Sequence, residues 1–524
     1  MPHHRTAKIL LTAAFSLLGG YLIFIATSLY GPGVSSDSVN YLAAAQDFSR
    51  GEGVFPTDSK PLLNWPPFYP FLLGAIRMFF EIELLDIGRI VNIATFAGII
   101  LLGGILARRS LGKGLYWHVF ALLAITFSFP VIKLATMIGA DSLFILLVLL
   151  FILTGQNHLQ KRDRKTLLFM ALVASIAPLV RWTGVTLVIA GAAFMIAINL
   201  PNVASGLKQS AVFGAIASLP FVLWVVGRNY LFYGQFLASP STTDIFIFRN
   251  IALSFERIIH WFVPYSLTGR IPAILIFAVL ILAVAFLIPK ARWRSYFLRL
   301  TNDTNLILVL FMAVYFLFIF MTTFTPDHLV VTDDRYQAPL YIPIIILLLV
   351  GVQELLDFQP GSDNPKNPRF IFAGFVLLLW LGLPVVRVSK YLEVSINENI
   401  PIYNTYNTKA YQESGLFQYL QLYDFDEEIP IYSNAAEPAY FHLDRSISSS
   451  PADPTARRRP SFEYLVEHYA GWPDSGSAYL IWIEGHFANN YYSPKMLSNI
   501  MRVVPLFETN DGGLYRVYSP SSAN

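Results

Sequence analysis

The chain has 524 residues, of which 55% are hydrophobic and only 14% are charged, and its mean hydropathy is +0.52. Soluble globular proteins carry roughly 25% charged residues, so this composition indicates a polytopic membrane protein. The net charge of +3 is too small to suggest a nucleic-acid partner. Because the chain has no cysteine, disulfides, thiolate metal sites and cysteine nucleophiles are excluded.

Apolar runs predict eleven transmembrane helices. The first run follows a short basic N-terminus and has no clear small-residue cleavage site before Tyr30, so we interpret it as an uncleaved helix rather than a signal peptide. A break at residues 181–184 leaves open that two runs form one bent helix. The predicted spans are residues 9–29, 87–107, 117–131, 141–155, 167–180, 183–200, 208–227, 272–289, 305–324, 337–356 and 369–388.

The loops between these runs segregate by charge, which predicts the orientation of the chain. Basic residues lie in loops on the side of the N-terminus: Arg108, Arg109, Lys113, Lys161, Arg162, Arg164, Lys165, Lys290, Arg292, Arg294 and Arg299. The opposite loops hold most of the acids: Asp37, Asp47, Glu52, Asp58, Glu81, Glu83, Asp86, Asp327, Asp333 and Asp334. Since positive loops stay cytoplasmic, we expect a cytoplasmic N-terminus and an extracytoplasmic C-terminus. The membrane we expect is a bacterial plasma membrane, and the endoplasmic reticulum is the alternative.

Composition divides the chain into two predicted domains. Residues 1–388 form a transmembrane domain with its first external loop at residues 30–86. Residues 389–524 are more polar, with strand-like pieces at 430–433, 478–483 and 513–518 and a helical stretch at 461–469. This tail is long enough to bury its own core, so we expect a small extracytoplasmic α/β domain.

The first external loop carries the most informative pattern. Residues 35–45 read SSDSVNYLAAA, and Tyr41, Ala45 and Phe48 repeat at helical spacing on one apolar face. Ser35 or Ser36 can cap such a helix, and Asp37 falls in its first turn, where a carboxylate is favoured. Taken alone, Asp37 is therefore an ordinary helix-terminal acid.

Prolines then fix the return of the chain to the membrane. Residues 64–70 read NWPPFYP, and the prolines of this segment prevent a regular helix before residue 71. The apolar residues that follow predict a short amphipathic or re-entrant helix at 68–80.

Several short motifs follow in order along the chain, most of them at predicted outer ends of spans. They are MIGADS at 137–142, LVRWTG at 179–184, GRNY at 227–230, TDDRY at 332–336 and IYSN at 431–434. Together with the DSxxY and PPxYP segments of the first loop, they resemble the GT-C glycosyltransferases, in the branch of protein O-mannosyltransferases and lipid A aminoarabinose transferases. The resemblance covers nearly the whole chain, although protein O-mannosyltransferases carry an Asp-Glu pair where this chain has Asp37 alone.

The resemblance implies a polytopic α-helical GT-C fold of about eleven spans, which would make residues 1–388 the catalytic domain. It further implies a sugar donor on polyprenyl or dolichyl phosphate, transfer at the outer membrane face and inversion at the anomeric carbon. The acceptor would be a lipid, a glycan or a protein. Such a reaction needs a general base, cations for the departing phosphate and a groove open to lipid.

Two acids are the predicted catalytic residues. Asp37 is the candidate general base. Asp141 would either orient the acceptor or join Asp37 around a divalent cation, and two carboxylates with waters suit Mg²⁺ or Mn²⁺. The alternative for Asp141 is a helix cap beside Ser142.

The phosphate requires cations outside the bilayer. Arg335 is the leading candidate because it begins a span and can bind phosphate oxygens bidentately, and its alternative is a salt bridge to Asp333 or Asp334. Arg228, Arg181 and Lys60 are further candidates, with snorkelling or plain surface exposure as their alternatives. The aromatic residues predicted to line the substrate groove are Tyr41, Trp65, Tyr69 and Tyr336.

Two other function classes stay open at this point. A secondary transporter or lipid flippase would place charged or broken segments near mid-membrane and often shows internal repeats, and neither pattern is evident here. A non-enzymatic assembly subunit would leave the shared outward placement of Asp37, Asp141, Arg228 and Arg335 as coincidence. His260, His328, His442 and His486 are isolated along the sequence and receive no metal-binding role.

Overall fold

A computed structural model describes most of the chain. The described residues are 2–53, 62–63, 65–112, 114–200, 202–234, 236, 247–265, 269–287, 304–322, 324, 334–357, 368–398, 400, 405–456, 460–485 and 490–520. Eleven residues named above lie outside these ranges: Asp58, Lys60, Lys113, Lys290, Arg292, Arg294, Arg299, Asp327, His328, Asp333 and His486.

The chain divides into two compact units. Unit 1 comprises Met1–Leu29, Leu63–Tyr69 and Asp86–Asn397. Unit 2 comprises Tyr30–Leu62, Pro70–Leu85 and Glu398–Asn524, so most of the first external loop groups with the C-terminal segment. The predicted boundary after residue 388 lies inside a continuous helix, Pro368–Asn397.

Unit 1 is helical throughout its described part. Its α-helices are Pro2–Ala26, Leu84–Ser110, Leu115–Thr126, Phe129–Ala135, Asp141–Lys161, Arg164–Val180, Val185–Ile198, Val203–Val222, Leu231–Tyr233, Ile247–Phe262, Arg270–Leu287, Leu306–Thr322, Tyr341–Asp357 and Pro368–Asn397. A π-helical stretch covers Leu223–Tyr230, and short 3₁₀ turns cover Trp182–Gly184, Asp334–Tyr336 and Ala338–Leu340.

Every predicted span falls on these helices, but the count of eleven is not confirmed. Among the described residues, six helices are long and apolar enough to cross a membrane. Leu115–Thr126 and Phe129–Ala135 bend by 46° and would make a seventh span if they cross together. Residues 117–131 were predicted as one span and coincide with this bent pair. The chain is thus a polytopic helical membrane protein whose exact number of spans is not fixed by helix length and composition.

Unit 2 contains a five-stranded mixed sheet. Its strands are β1 (Ile431–Ser433), β2 (Ile447–Ser449), β3 (Ser477–Ile483), β4 (Arg502–Thr509) and β5 (Gly512–Tyr518), arranged in the order β2-β1-β3-β5-β4. The pairs β1–β2 and β1–β3 are parallel, whereas β3–β5 and β4–β5 are antiparallel. The sheet confirms the predicted α/β tail.

Both faces of this sheet are covered, because side chains along a strand alternate between them. Tyr479, Ile481 and Ile483 of β3 pack in one apolar cluster, with residues of the helices Gly415–Leu422 and Ala436–Leu443. Leu480 of the same strand packs in a second cluster, which includes Leu465 of the helix Phe462–Tyr469. The tail segment also has the short helices Lys409–Gln412 and Pro494–Leu497.

The two predicted helices of the first external loop are present. They span Ser36–Arg50 and Phe68–Phe79. The expectation that the prolines prevent a regular helix before residue 71 is wrong, because Pro70 lies in the first turn of the second helix, where its missing N–H is tolerated. Phe48 of the first helix and Phe71 of the second have ring centroids 4.8 Å apart. A Cβ at Gly74 would lie 2.7 Å from the carbonyl oxygen of Ala45, so only glycine permits this close approach.

Candidate active site

Asp37 lies in the first turn of the helix Ser36–Arg50, as the sequence predicts. Ser35 is the N-cap, and its backbone N–H donates to Ser38 Oγ at 2.9 Å. Asn40 strengthens the same turn by donating its side-chain N–H to the Ser36 carbonyl oxygen at 2.9 Å. The N-terminal end of this helix is therefore fixed by its own short polar side chains.

A second carboxylate reaches the same helix end from the C-terminal segment. Ser36 Oγ donates to Glu437 Oε1 at 2.7 Å, and the Tyr406 hydroxyl donates to Glu437 Oε2 at 2.9 Å. Burial, and then the charges of Glu437 and Asp37 among its neighbours, raise the pKa of Tyr406 well above its ordinary value. Tyr406 therefore stays protonated and keeps donating. The sequence analysis missed Glu437 because it lies about 400 residues from Ser36.

Tyr406 and Asn407 attach the C-terminal segment to the loop that precedes Asp37. Asn407 Nδ2 donates to the carbonyl oxygens of Tyr30 and Pro32, each at 2.7 Å, and Asn407 Oδ1 accepts from the Val34 backbone N–H at 3.0 Å. The Tyr406 backbone N–H donates to the Val34 carbonyl oxygen at 2.8 Å. The loop from Tyr30 to Val34 is thus held by both backbone and side-chain bonds.

His442 supports this arrangement from the side of the sheet. Its Nε2 donates to the Tyr406 carbonyl oxygen at 2.7 Å. Burial lowers the pKa of His442, so the ring stays neutral near pH 7. His442 therefore helps to hold the backbone at Tyr406 in place.

In unit 1, Asp141 and Arg181 form a salt bridge. Asp141 begins the helix Asp141–Lys161, and Arg181 directly follows the helix Arg164–Val180. Their side chains are only 12% and 14% exposed, respectively. The pair is therefore shielded from water, and its two charges interact more strongly than they would at a solvent-exposed surface.

Tyr336 lies between two of the predicted phosphate ligands. The guanidinium carbons of Arg181 and Arg335 are each 5.1 Å from the centroid of its ring. Arg335 also donates to the Tyr336 hydroxyl at 3.3 Å, and the Tyr336 carbonyl oxygen accepts from the Tyr315 hydroxyl at 2.8 Å. Arg181, from the motif at 179–184, is thus brought to Arg335 and Tyr336, from the motif at 332–336.

Two more arginines extend this group, and the sequence analysis singled out neither. Arg257 Nε lies 3.7 Å from Asp334 Oδ1. Arg387 interacts electrostatically with Asp334, and its guanidinium lies 2.7 Å from His260 Nε2 and 3.8 Å from the Phe129 ring centroid. An arginine inside a candidate membrane helix is a signal that could have identified Arg387.

We define the cationic cluster as Arg181, Arg257, Arg335 and Arg387 with Asp141 and Asp334. Four arginines against two aspartates leave an excess of positive charge. Burial and the charges of Arg387 and Arg257 lower the pKa of His260 to about 4, so this histidine is neutral at pH 7. Such a cluster favours an anion.

An apolar cavity lies beside the cationic cluster. It has a volume of about 490 Å³ and is lined by Ile251, Ser254, Phe255, Ile258, Phe316, Leu317, Ile319, Phe320 and Gln337. Two of the lining residues are chain neighbours of residues at the cluster, because Ile258 follows Arg257 and Gln337 follows Tyr336. Gln337 is fully buried, and its amide has no hydrogen-bond partner among the described residues. The cavity thus presents an apolar body and two polar side chains, those of Ser254 and Gln337.

The other predicted site residues lie in varied surroundings. Arg228 stacks on Trp224 and Tyr233, with its guanidinium carbon 4.6 and 4.9 Å from their ring centroids. Tyr41 is 6% exposed on the helix that carries Asp37, Tyr69 is fully buried, and Trp65 is half-buried. Their predicted contacts with substrate stay predictions.

Asp141 does not fit the predicted divalent-cation site. Its carboxylate faces the Arg181 guanidinium, which already supplies a positive charge at that position. The part of the chain that the structure describes also contains no group of three or more His, Asp or Glu side chains arranged to hold a metal ion. Metal binding through Asp37 stays a prediction, and no chemical step below uses it.

The apolar helices define an integral membrane protein. The chain is similar to the crystal structure of ArnT from Cupriavidus metallidurans in the apo state, with a TM-score of 0.55, 12% identity and 99% of each chain covered. It is equally similar to ArnT from the same organism bound to undecaprenyl phosphate, with a TM-score of 0.56, 13% identity and 99% of each chain covered.

A third solved structure has the same fold. The oligosaccharyltransferase from Archaeoglobus fulgidus in its apo form matches with a TM-score of 0.51 and 11% identity, over 90% of this chain and 69% of that one. ArnT, a lipid A aminoarabinose transferase, and this enzyme are both GT-C glycosyltransferases. No protein-family model and no curated protein sequence matches the chain. The predicted GT-C resemblance is confirmed at the level of the fold.

Proposed function

We propose that this protein is a membrane glycosyltransferase that moves a sugar from a polyprenyl- or dolichyl-phosphate donor to an acceptor on the outer membrane face, with inversion. The observation that carries the proposal is the apolar cavity beside the cationic cluster, in a chain with the GT-C fold. A prenyl chain matches an apolar cavity, and a phosphate matches an excess of arginine. Undecaprenyl phosphate, the ligand of the similar ArnT structure, combines these two chemistries.

In the proposed reaction, the acceptor hydroxyl attacks the anomeric carbon of the sugar. A new bond forms between the acceptor oxygen and that carbon, while the bond from the carbon to the phosphate oxygen breaks. Asp37 takes the proton of the acceptor hydroxyl as general base. The prenyl phosphate leaves with the bonding electrons, and Arg335 and Arg181 stabilise its growing negative charge. Attack from the face opposite the leaving group gives inversion.

A transfer assay tests the proposal directly. Purified protein is given a radiolabelled prenyl-phosphate sugar and crude membrane acceptors, and we expect labelled product with at least one donor. A donor with a shortened prenyl chain should have a higher KM, because fewer methylene groups are buried in the cavity. If no donor yields product, the proposed activity is wrong, and a transporter, flippase or assembly role gains support.

The base is tested by Asp37→Asn, which keeps the size of the side chain but cannot accept the proton. General-base catalysis contributes about 10²- to 10⁴-fold, so kcat should fall by that order. Asp47→Asn is the matched control, since it removes a carboxylate from the same helix about 15 Å further along. Unchanged transfer in Asp37→Asn would refute the role of Asp37 while leaving the glycosyltransferase activity standing.

A further inference from the structure

The C-terminal segment makes direct bonds to the helix end that carries Asp37, and all the residues concerned belong to unit 2. Glu437 opens the helix Ala436–Leu443, which packs against the helix Ser36–Arg50. Its two carboxylate oxygens accept from two separate hydroxyls, those of Ser36 and Tyr406. Hydrogen bonds to a charged acceptor are roughly twice as strong as neutral ones, so this is a firm connection.

We infer that Glu437 is a positioning residue: it fixes the first turn of the helix Ser36–Arg50 and thereby the carboxylate of Asp37. The inference rests on the proposed role of Asp37 as general base. It gives the C-terminal segment a part in positioning the general base, although the composition of the chain suggests only a separate domain.

The geometry separates this role from simple anchoring of the loop. Asn407 already holds the loop through the carbonyl oxygens of Tyr30 and Pro32 and the N–H of Val34. Ser36 lies beyond those bonds, at the first helical residue and directly before Asp37. Anchoring by Asn407 therefore sets where the loop runs, while Glu437 sets the orientation of the turn that presents Asp37.

Tyr406 lies near both carboxylates. Its hydroxyl is bonded to Glu437, and Asp37 is near enough to act on it electrostatically. His442 holds the backbone of Tyr406 through the carbonyl oxygen. His442 and Glu437 both belong to the helix Ala436–Leu443, so this helix holds Tyr406 at its backbone and at its hydroxyl. Glu437 then connects the same helix to Ser36.

Glu437→Gln is the sharpest test because it preserves the volume of the side chain. An amide has one oxygen and one NH₂ group, so one of the two hydroxyls would have to turn and accept from the NH₂ group, and both bonds to a charged acceptor would become weaker neutral ones. A misplaced catalytic group costs up to about 100-fold in rate. We expect kcat to fall by about 10- to 100-fold with KM nearly unchanged, since the groups that bind the donor are untouched.

Three variants make the result specific. Ser36→Ala and Tyr406→Phe each remove one of the two hydroxyls and should lower kcat in the same direction by smaller factors. Glu467→Gln, on an exposed face of the helix Phe462–Tyr469, is the matched control and should behave as the wild type. A drop of equal size in Glu467→Gln would show that the assay reports general stability and would overturn the inference.

A second measurement does not depend on the donor. Hydrogen exchange of full-length protein in detergent should be faster in Glu437→Gln for the backbone amides of residues 36–41, and unchanged for the helix Phe68–Phe79. Wild-type exchange and wild-type kcat in Glu437→Gln would each overturn the inference. If wild-type protein transfers no sugar but the exchange difference is present, the proposed function fails and the structural connection stands.

Discussion

Asp141 is the residue whose role changes most between sequence and structure. Its position predicts either a helix cap or a partner of Asp37, yet it forms a salt bridge with Arg181. The helices Asp141–Lys161 and Arg164–Val180 are joined by only two residues, so they must run antiparallel. The start of the first helix and the end of the second therefore lie together. This reasoning was available from the sequence, although the exact pair of side chains depends on how the helices rotate.

Breaking this pair should be costly, because removing one partner leaves an uncompensated buried charge. We expect Asp141→Asn to destabilise the protein by about 3–5 kcal/mol. In the double variant Asp141→Asn with Arg181→Gln both charges are gone, so the loss should be smaller than the sum of the two single losses. Unfolding in detergent, followed by tryptophan fluorescence, gives the coupling energy. Additive single losses would mean that the two side chains do not act as a pair.

Individual site residues were predicted unevenly for a physical reason. Asp37, Arg181, Arg335 and Tyr336 lie at helix ends or in turns, where local sequence patterns are informative. Glu437 was missed because its importance comes from contacts between segments distant in sequence. No local pattern encodes such contacts.

At the level of elements, the turn after the helix Arg164–Val180 depends on one glycine. An added Cβ at Gly184 would overlap the backbone of Ala177 and Pro178. The turn Trp182–Gly184 folds back onto the preceding helix because this position lacks a side chain. This close approach explains why the motif LVRWTG at 179–184 ends in glycine. The same turn positions Arg181, which directly precedes it.

Gly184→Ala should therefore destabilise the protein by about 1–3 kcal/mol, because backbone atoms cannot move aside as a flexible side chain can. Gly214→Ala is the matched control in the helix Val203–Val222, where an added Cβ has no described atom within 4 Å. That control should be neutral or stabilising, since alanine favours helix over glycine by up to about 1 kcal/mol. Thermal unfolding of both variants is compared with the wild type. Equal midpoints for the two variants would contradict the steric argument.

The elements of unit 2 show what periodicity can and cannot predict. The strands β1, β3 and β5 were predicted within one residue of their observed starts, because they are apolar runs bounded by turn residues. The strands β2 and β4 were missed. β2 has only three residues, and the apolar run of β4 contains Pro505, which argues against a strand in the sequence. Both are edge strands, and pairing with a neighbour rather than their own sequence defines them.

At the level of the whole molecule, hydropathy predicted the class but not the division into units. Apolar runs are set by the membrane and are visible in sequence. The grouping of the first external loop with the C-terminal segment depends on hydrogen bonds such as those of Asn407. Because of these bonds, a single boundary at residue 388 separates two compositions but does not separate the two compact units.

The orientation of the molecule is predicted by the charge of its loops, and a chain without cysteine allows a direct test. Lys161→Cys and Glu428→Cys place single thiols at exposed positions on opposite predicted sides. In intact bacterial cells whose outer membrane is made permeable, a membrane-impermeant maleimide should label Glu428→Cys and spare Lys161→Cys. Both variants should be labelled after the inner membrane is opened. The wild type should not be labelled in intact or in opened cells, because it has no cysteine. If Lys161→Cys alone were labelled in intact cells, the orientation would be the reverse of the predicted one. Asp37 and the candidate active site would then lie on the cytoplasmic face, and the proposed extracytoplasmic transfer would be wrong.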